Sequence, residues 1–189
     1  MERRGFLRIS LAAISGLGAF FTSIPFVKSL LPSVKARALA EPTTVDLTEI
    51  PAGEVRRYLY RGEAMLVLHR TPEMLDALAA TDGRLLGSND PDFADPAYVD
   101  PRHRGISPDY LVVKGVCPHL GCVPQQTGEQ GKNIAGAWWQ GGFICPCHQS
   151  GFDFAGRVVR RPAPRNLPIP PHRYAGPTTL IIGEPTKPT

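Results

Sequence analysis

The sequence predicts a mostly β protein with one short helix, preceded by a single apolar helix at the N-terminus. Twenty prolines and nineteen glycines in 189 residues favour turns and short strands over long helices. Short apolar runs alternate with these turn residues as far as a last predicted strand, Thr179 to Ile182. Hydrophobic residues make up 42% of the chain and charged residues 20%, which is typical of a folded domain.

The N-terminal residues predict a membrane anchor. Residues 1–8 carry a paired arginine, then Phe-Leu and a third arginine, a pattern that resembles a twin-arginine export leader. Residues 9–27 are uncharged, and as a helix they would span roughly 28 Å, close to the hydrocarbon core of a bilayer. Because arginines precede this run, we expect a cytoplasmic N-terminus. Residues 38–40 (Ala-Leu-Ala) have the shape of a processing site but lie far beyond the apolar run, so we expect an uncleaved anchor.

The remaining chain is predicted as a flexible tether over residues 28–43 and a folded head over residues 44–189. The net charge of +4 gives no basic patch that would indicate nucleic-acid binding, because six basic residues flank the apolar run. Turn and cap signals predict the following elements of the head: strands at Val55–Tyr60 and Glu63–Arg70 joined by a hairpin at Arg61-Gly62, a helix from Pro72 to about Ala80 capped by Thr71, a long solvated loop over residues 84–109, and a strand at Tyr110–Lys114.

All four cysteines and two of the five histidines lie in two short segments, the first cysteine loop (Cys117–Cys122) and the second cysteine loop (Cys145–Ser150). Thiolates and imidazoles at this spacing predict a metal site. Disulfides alone would leave the two histidines without a role. A zinc site with two cysteines and two histidines would leave the second cysteine of each loop without one.

The two cysteine loops closely resemble the cluster-binding motifs of Rieske iron–sulfur proteins. The resemblance implies an antiparallel β-sandwich head with an inserted cluster-binding subdomain at about residues 115–166. It also implies one Rieske-type 2Fe-2S cluster, with these roles: Cys117 and Cys145 as ligands of one iron, His119 and His148 as ligands of the other, Ser150 as a hydrogen-bond donor to a bridging sulfide, and Cys122 and Cys147 as a disulfide that joins the loops.

Pro162–Leu167, here called the proline segment, is similar to the loop that covers the cluster in quinol-oxidising Rieske proteins. With the anchor and the extra cysteines, the whole chain resembles the Rieske subunit of a cytochrome bc complex. The resemblance implies that His119 or His148 contacts quinol and that the chain takes one electron with proton release. It implies an acceptor that is a membrane-bound c-type cytochrome, and a cytochrome b partner. It places the chain in a dimeric complex of the bacterial inner membrane, with a periplasmic head.

One alternative from another class is an exported Rieske subunit of another oxidase, of the arsenite oxidase type, that binds no quinol. The sequence also departs from the family pattern at Pro118, where the family usually has threonine, and at Gln149 and Arg161, where it usually has glycine; none of these changes removes a ligand. The most consequential departure is Phe152, where the family often has a tyrosine whose hydroxyl bonds a ligand sulfur. Loss of that donor predicts a lower reduction potential.

Overall fold

The computed structural model describes residues 3–87 and 94–186, and it divides into two units, Met1–Leu39 and Ala40–Thr189. The first unit consists of helix α1 (Arg3–Ser29) and the short helix α2 (Val34–Leu39). Helix α1 is long and apolar enough to cross a membrane by length and composition, and none of its described side chains is buried. The hydroxyls of its Thr22 and Ser23 donate to carbonyl oxygens three or four residues earlier, which satisfies them inside an apolar helix.

The second unit contains ten short strands and two further α-helices in the part of the chain that the structure describes. In chain order the elements are β1 (Thr43–Asp46), β2 (Val55–Tyr60), β3 (Glu63–His69), α3 (Pro72–Thr81), β4 (Tyr110–Lys114), β5 (Gln125–Thr127), α4 (Lys132–Ala135), β6 (Gly142–Ile144), β7 (Gly151–Phe152), β8 (Val158–Arg160), β9 (His172–Tyr174) and β10 (Thr179–Ile182). They form three antiparallel sheets with strand orders β1-β10-β9, β2-β3-β4 and β5-β6-β7-β8.

The sheet β2-β3-β4 lies between two apolar clusters of the head, and its strands β3 and β4 are buried on both faces. Alternate residues of a strand point to opposite faces, so β3 sends Met65 and Val67 into one apolar cluster and Leu66 and Leu68 into another. All four are at most 3% exposed. This explains why β3 reads as an uninterrupted apolar run rather than as an alternating one.

One face of the central sheet packs against β1-β10-β9, through residues such as Val45, Leu180 and Ile182. The other face packs against helix α3 and against the four-stranded sheet β5-β6-β7-β8, which carries the second cysteine loop. This second apolar cluster includes the side chains of both Cys117 and Cys145. The candidate site therefore rests directly on the hydrophobic core.

The structure confirms the mostly β fold and the main predicted elements. The hairpin turns at Arg61 and Gly62, both with positive φ, and the Thr71 side chain accepts from the Met74 backbone N–H as the cap of α3. The short helices α2 and α4 were not predicted.

The prediction of a solvated loop over residues 84–109 is wrong for part of that segment. Within the described residues 94–109, Arg104 is 2% exposed and Val99 is 7% exposed. The physical reason is that the buried Arg104 guanidinium donates to the Ala155 and Leu167 carbonyl oxygens of the head, while Asp95 of the same segment pairs with it.

Candidate metal centre

The two cysteine loops have the same backbone hydrogen-bond pattern. In the first loop, Cys117 N–H donates to the Cys122 carbonyl (2.8 Å) and Gly121 N–H donates back to the Cys117 carbonyl (2.9 Å). In the second loop, Cys145 N–H donates to the Ser150 carbonyl (2.9 Å) and Gln149 N–H donates back to the Cys145 carbonyl (2.8 Å). Each loop is thus a closed ring that presents its side chains from a fixed backbone.

The fifth residue of each loop has a left-handed backbone, with φ +87° at Gly121 and +60° at Gln149. Glycine adopts this region freely, whereas a residue with a Cβ is strained there. Gln149 is the position at which the family resemblance led us to expect glycine. The structure therefore shows that the substitution keeps the loop conformation at a local cost.

The structure brings the four residues predicted as metal ligands close together. The rings of His119 and His148 lie edge to face, with centroids 4.7 Å apart. Cys117 and Cys145 are both free thiols and each is 2% exposed. His148 is exposed and His119 is half-buried, so the imidazoles lie at the surface and the thiols beneath them.

Cys122 and Cys147 form a disulfide that joins the two loops across a sequence separation of 25. The Sγ atoms of Cys122, Cys145 and Cys147 lie within 4.8 Å of one another. Two of these three sulfurs belong to the disulfide and cannot act as thiolate ligands. The cysteine ligands available at this site are therefore Cys117 and Cys145.

The electrostatics of the thiols fit a cationic centre. Burial raises the pKa of the Cys117 thiol, and the neighbouring Cys145 raises it further, against a lowering by the Ser150 hydroxyl and the His119 backbone N–H. Two buried thiolates side by side need a positive charge between them. Two thiols below and two imidazoles above are the donor set of a Rieske [2Fe-2S] cluster, so the residues present fit that group.

Ser150 connects the centre to the proline segment. It is fully buried, its Oγ accepts from the Ala163 backbone N–H (2.9 Å), and its hydroxyl lies close enough to Cys117 to lower the pKa of that thiol. A serine hydroxyl can accept and donate at once. The proline segment is consequently held at the second cysteine loop by a residue that also touches a ligand thiol.

Phe152 lies on β7 and is fully buried in the apolar cluster that contains Cys117 and Cys145. It packs beneath the centre and has no hydroxyl to donate.

Sequence reasoning missed Leu120, next to His119, whose side chain is 70% exposed. An apolar residue directly after a predicted ligand, in a loop otherwise made of ligand, disulfide and turn residues, was a signal that the motif itself contained.

The matching family model is the Rieske [2Fe-2S] domain, over residues 96–171. The chain is 42% identical over 183 residues to the ubiquinol-cytochrome c reductase iron-sulfur subunit of Allochromatium vinosum, covering 96% of this chain and 88% of the relative. It is 34% identical to the subunit of the same name from Blastochloris viridis, with coverages of 96% and 92%. A solved hyperthermophilic respiratory Complex III chain is 23% identical, with coverages of 92% and 98% and a TM-score of 0.47. The chain belongs to the Rieske iron–sulfur protein family, among the relatives of ubiquinol-cytochrome c reductase iron-sulfur subunits.

Proposed function

We propose that this chain is the iron–sulfur subunit of a membrane quinol:cytochrome c oxidoreductase, an oxidoreductase and translocase. The observation that carries the proposal is the pair of imidazoles 4.7 Å apart above two buried free thiols. Similarity to two subunits of ubiquinol-cytochrome c reductase over 96% of the chain supports it. The same similarity favours this function over the alternative, a Rieske subunit of the arsenite oxidase type that binds no quinol.

Cys117 and Cys145 would hold one iron of the cluster, and His119 and His148 the other. When bound, the cluster supplies a one-electron acceptor, and imidazoles in place of two thiolates move its potential to about −150 to +300 mV. The buried thiols and the Ser150 hydroxyl keep water from the inner side of the centre.

His148 or His119 would make the contact with quinol. An imidazole that gives one ring nitrogen to a metal keeps its second nitrogen available to a hydrogen-bond partner. That nitrogen accepts the hydrogen bond from a quinol hydroxyl and then its proton, as one electron leaves the quinol toward this subunit. The second electron goes to cytochrome b, and both protons of the quinol are released on the periplasmic side.

The partners and the topology follow from the same proposal. Helix α1 crosses the bacterial inner membrane once, and the arginines before its apolar run keep the N-terminus in the cytoplasm. The head is then periplasmic, where a disulfide is stable. Residues 28–43 act as the tether between the anchor and the head, which lets the head move from cytochrome b to a membrane-bound c-type cytochrome within a dimeric complex. Inside this segment the structure has helix α2 (Val34–Leu39).

Leu120 provides the test of the quinol-oxidising function. Its exposed apolar side chain, beside His119, suits a contact with an apolar quinol pocket of a partner protein. In the purified complex, Leu120→Asp should keep the cluster spectrum and lose most quinol-dependent reduction of cytochrome c. Leu59→Asp, at a residue 58% exposed on β2, is the matched control and should retain turnover. Full turnover in Leu120→Asp would contradict a quinol contact at this face.

A further inference from the structure

The guanidinium of Arg104 joins three segments that are far apart in sequence. Its Nη1 donates to the Ala155 carbonyl (2.8 Å), and its Nη2 donates to the Leu167 carbonyl (2.8 Å). Ala155 follows the second cysteine loop and β7, while Leu167 ends the proline segment. Arg104 itself belongs to the segment 94–109, whose role no motif indicates.

Asp95 fixes the orientation of this guanidinium. Its two carboxylate oxygens accept from Nε (2.7 Å) and Nη2 (2.6 Å) of Arg104, which is a bidentate pair. Arg104 is 2% exposed on its side chain and Asp95 is 28% exposed. A planar guanidinium held this way aims its remaining donors in fixed directions, which a lysine ammonium does not.

Hydrogen bonds hold the proline segment near both of its ends, and within it the Asn166 Oδ1 accepts from the Val158 backbone N–H (2.9 Å). Near its start, the Ala163 N–H donates to Ser150 Oγ. At its end, the Leu167 N–H donates to the Gly156 carbonyl (2.9 Å) and its carbonyl accepts from Arg104. Arg104 therefore ties the end of the proline segment to the backbone that follows the second cysteine loop.

We propose that Arg104 and Asp95 form a clamp, supplied by the segment 94–109, that positions the proline segment over the metal centre. Arg104 is thus a positioning residue for the centre. The inference rests on the proposed function in one respect, since it takes the centre to be the Rieske cluster. It assigns a role to a segment that the sequence predicted to be a solvated loop.

Hydrogen exchange on the full-length, cluster-loaded chain in detergent tests the clamp. Asp95→Asn removes the charge that orients Arg104 but leaves both Arg104–carbonyl bonds possible, so the fold should survive. Exchange of peptides over residues 162–169 should become about tenfold faster, with that of β1 and β10 unchanged. Arg104→Lys keeps the positive charge but loses the planar guanidinium that donates to both Asp95 oxygens, so it should speed exchange by the same factor or more. Glu63→Gln is the matched control, because it breaks a half-exposed pair with Lys114 (2.9 Å).

The reduction potential separates positioning from a purely structural role. With the proline segment loosened, water reaches the centre, and the midpoint and the EPR line shape of both clamp variants should change while the control keeps those of the wild type. Unchanged exchange over residues 162–169 in both variants would overturn the clamp, as would exchange that rises equally in β1 and β10. A wild-type chain with no Rieske EPR signal would instead overturn the proposed function, so the two failures are distinguishable.

Discussion

The substitution Phe152→Tyr should raise the reduction potential of the centre. Phe152 is fully buried in the apolar cluster that contains Cys117 and Cys145, each of which is 2% exposed. A tyrosine hydroxyl added there has no water to bond. A sulfur ligand is the acceptor that the family resemblance assigns to it. A hydrogen bond to sulfur stabilises the more negative, reduced state of the centre and so favours reduction.

The size of the shift follows from the energy of one hydrogen bond. A net contribution of about 0.5–1.5 kcal/mol, at 59 mV for each tenfold change in a one-electron equilibrium, corresponds to a rise of roughly 20–65 mV. If the hydroxyl found no acceptor in this dry cluster, the protein would instead lose about 1–3 kcal/mol of stability with no gain in potential. A hydroxyl bonded to sulfur would therefore raise the reduction potential, whereas an unbonded hydroxyl would lower the stability and leave the potential unchanged.

Protein-film voltammetry of the full-length chain measures the midpoint, and denaturant unfolding measures the stability. Phe154→Tyr is the matched control, because it adds the same hydroxyl two residues later, where the ring lines a groove between α3 and residues 128–140. That variant should leave the midpoint unchanged. A midpoint in Phe152→Tyr that is equal to or below the wild-type value would refute the reasoning.

Three further predictions concern stability and are measured by urea unfolding. Asp153 is 1% exposed and accepts from Arg157 Nε (2.7 Å), so Asp153→Asn should cost about 3–5 kcal/mol, whereas Glu184→Gln, in a half-exposed pair, should cost less than about 1 kcal/mol. Equal losses of stability in the two variants would contradict the larger contribution expected of the buried Asp153–Arg157 pair. Replacing both Cys122 and Cys147 by alanine removes the disulfide and should lower the stability by about 2–5 kcal/mol. An unchanged midpoint of unfolding would count against the bridge between the loops. Burial lowers the pKa of His172 in the folded protein, so the unfolded chain binds its proton more readily and stability should fall as the pH drops below about 6.5. The fall should be smaller in His172→Gln, and an identical pH profile in the two proteins would refute this.

The sequence predicted those parts of the molecule whose signals are local. The Thr71 cap, the turn at Arg61 and Gly62 and the apolar run of β3 each lie within a few residues of the structure they specify. The two cysteine loops are local as well, and the family resemblance carried the pairing of the loops, which spacing alone left open.

The sequence could not reveal contacts that depend on distant segments. Arg104 bonds carbonyl oxygens 51 and 63 residues away, and backbone carbonyls leave no trace in a sequence. A basic residue in a loop rich in proline and aspartate is therefore predicted to be exposed to solvent. The strands β5 to β9 escaped individual prediction because each has only two or three residues, too few for a period to show.

The set of four ligands is the central claim, and nitrogen-resolved EPR of the membrane-extracted full-length chain tests it most directly. The reduced protein should show a single 2Fe-2S centre coupled to two imidazole nitrogens, one from His119 and one from His148. Labelling histidine with ¹⁵N should change both couplings, and replacing either histidine by cysteine should remove one of them. A reduced centre without histidine nitrogen coupling, or a chain that binds zinc in place of iron, would contradict the account.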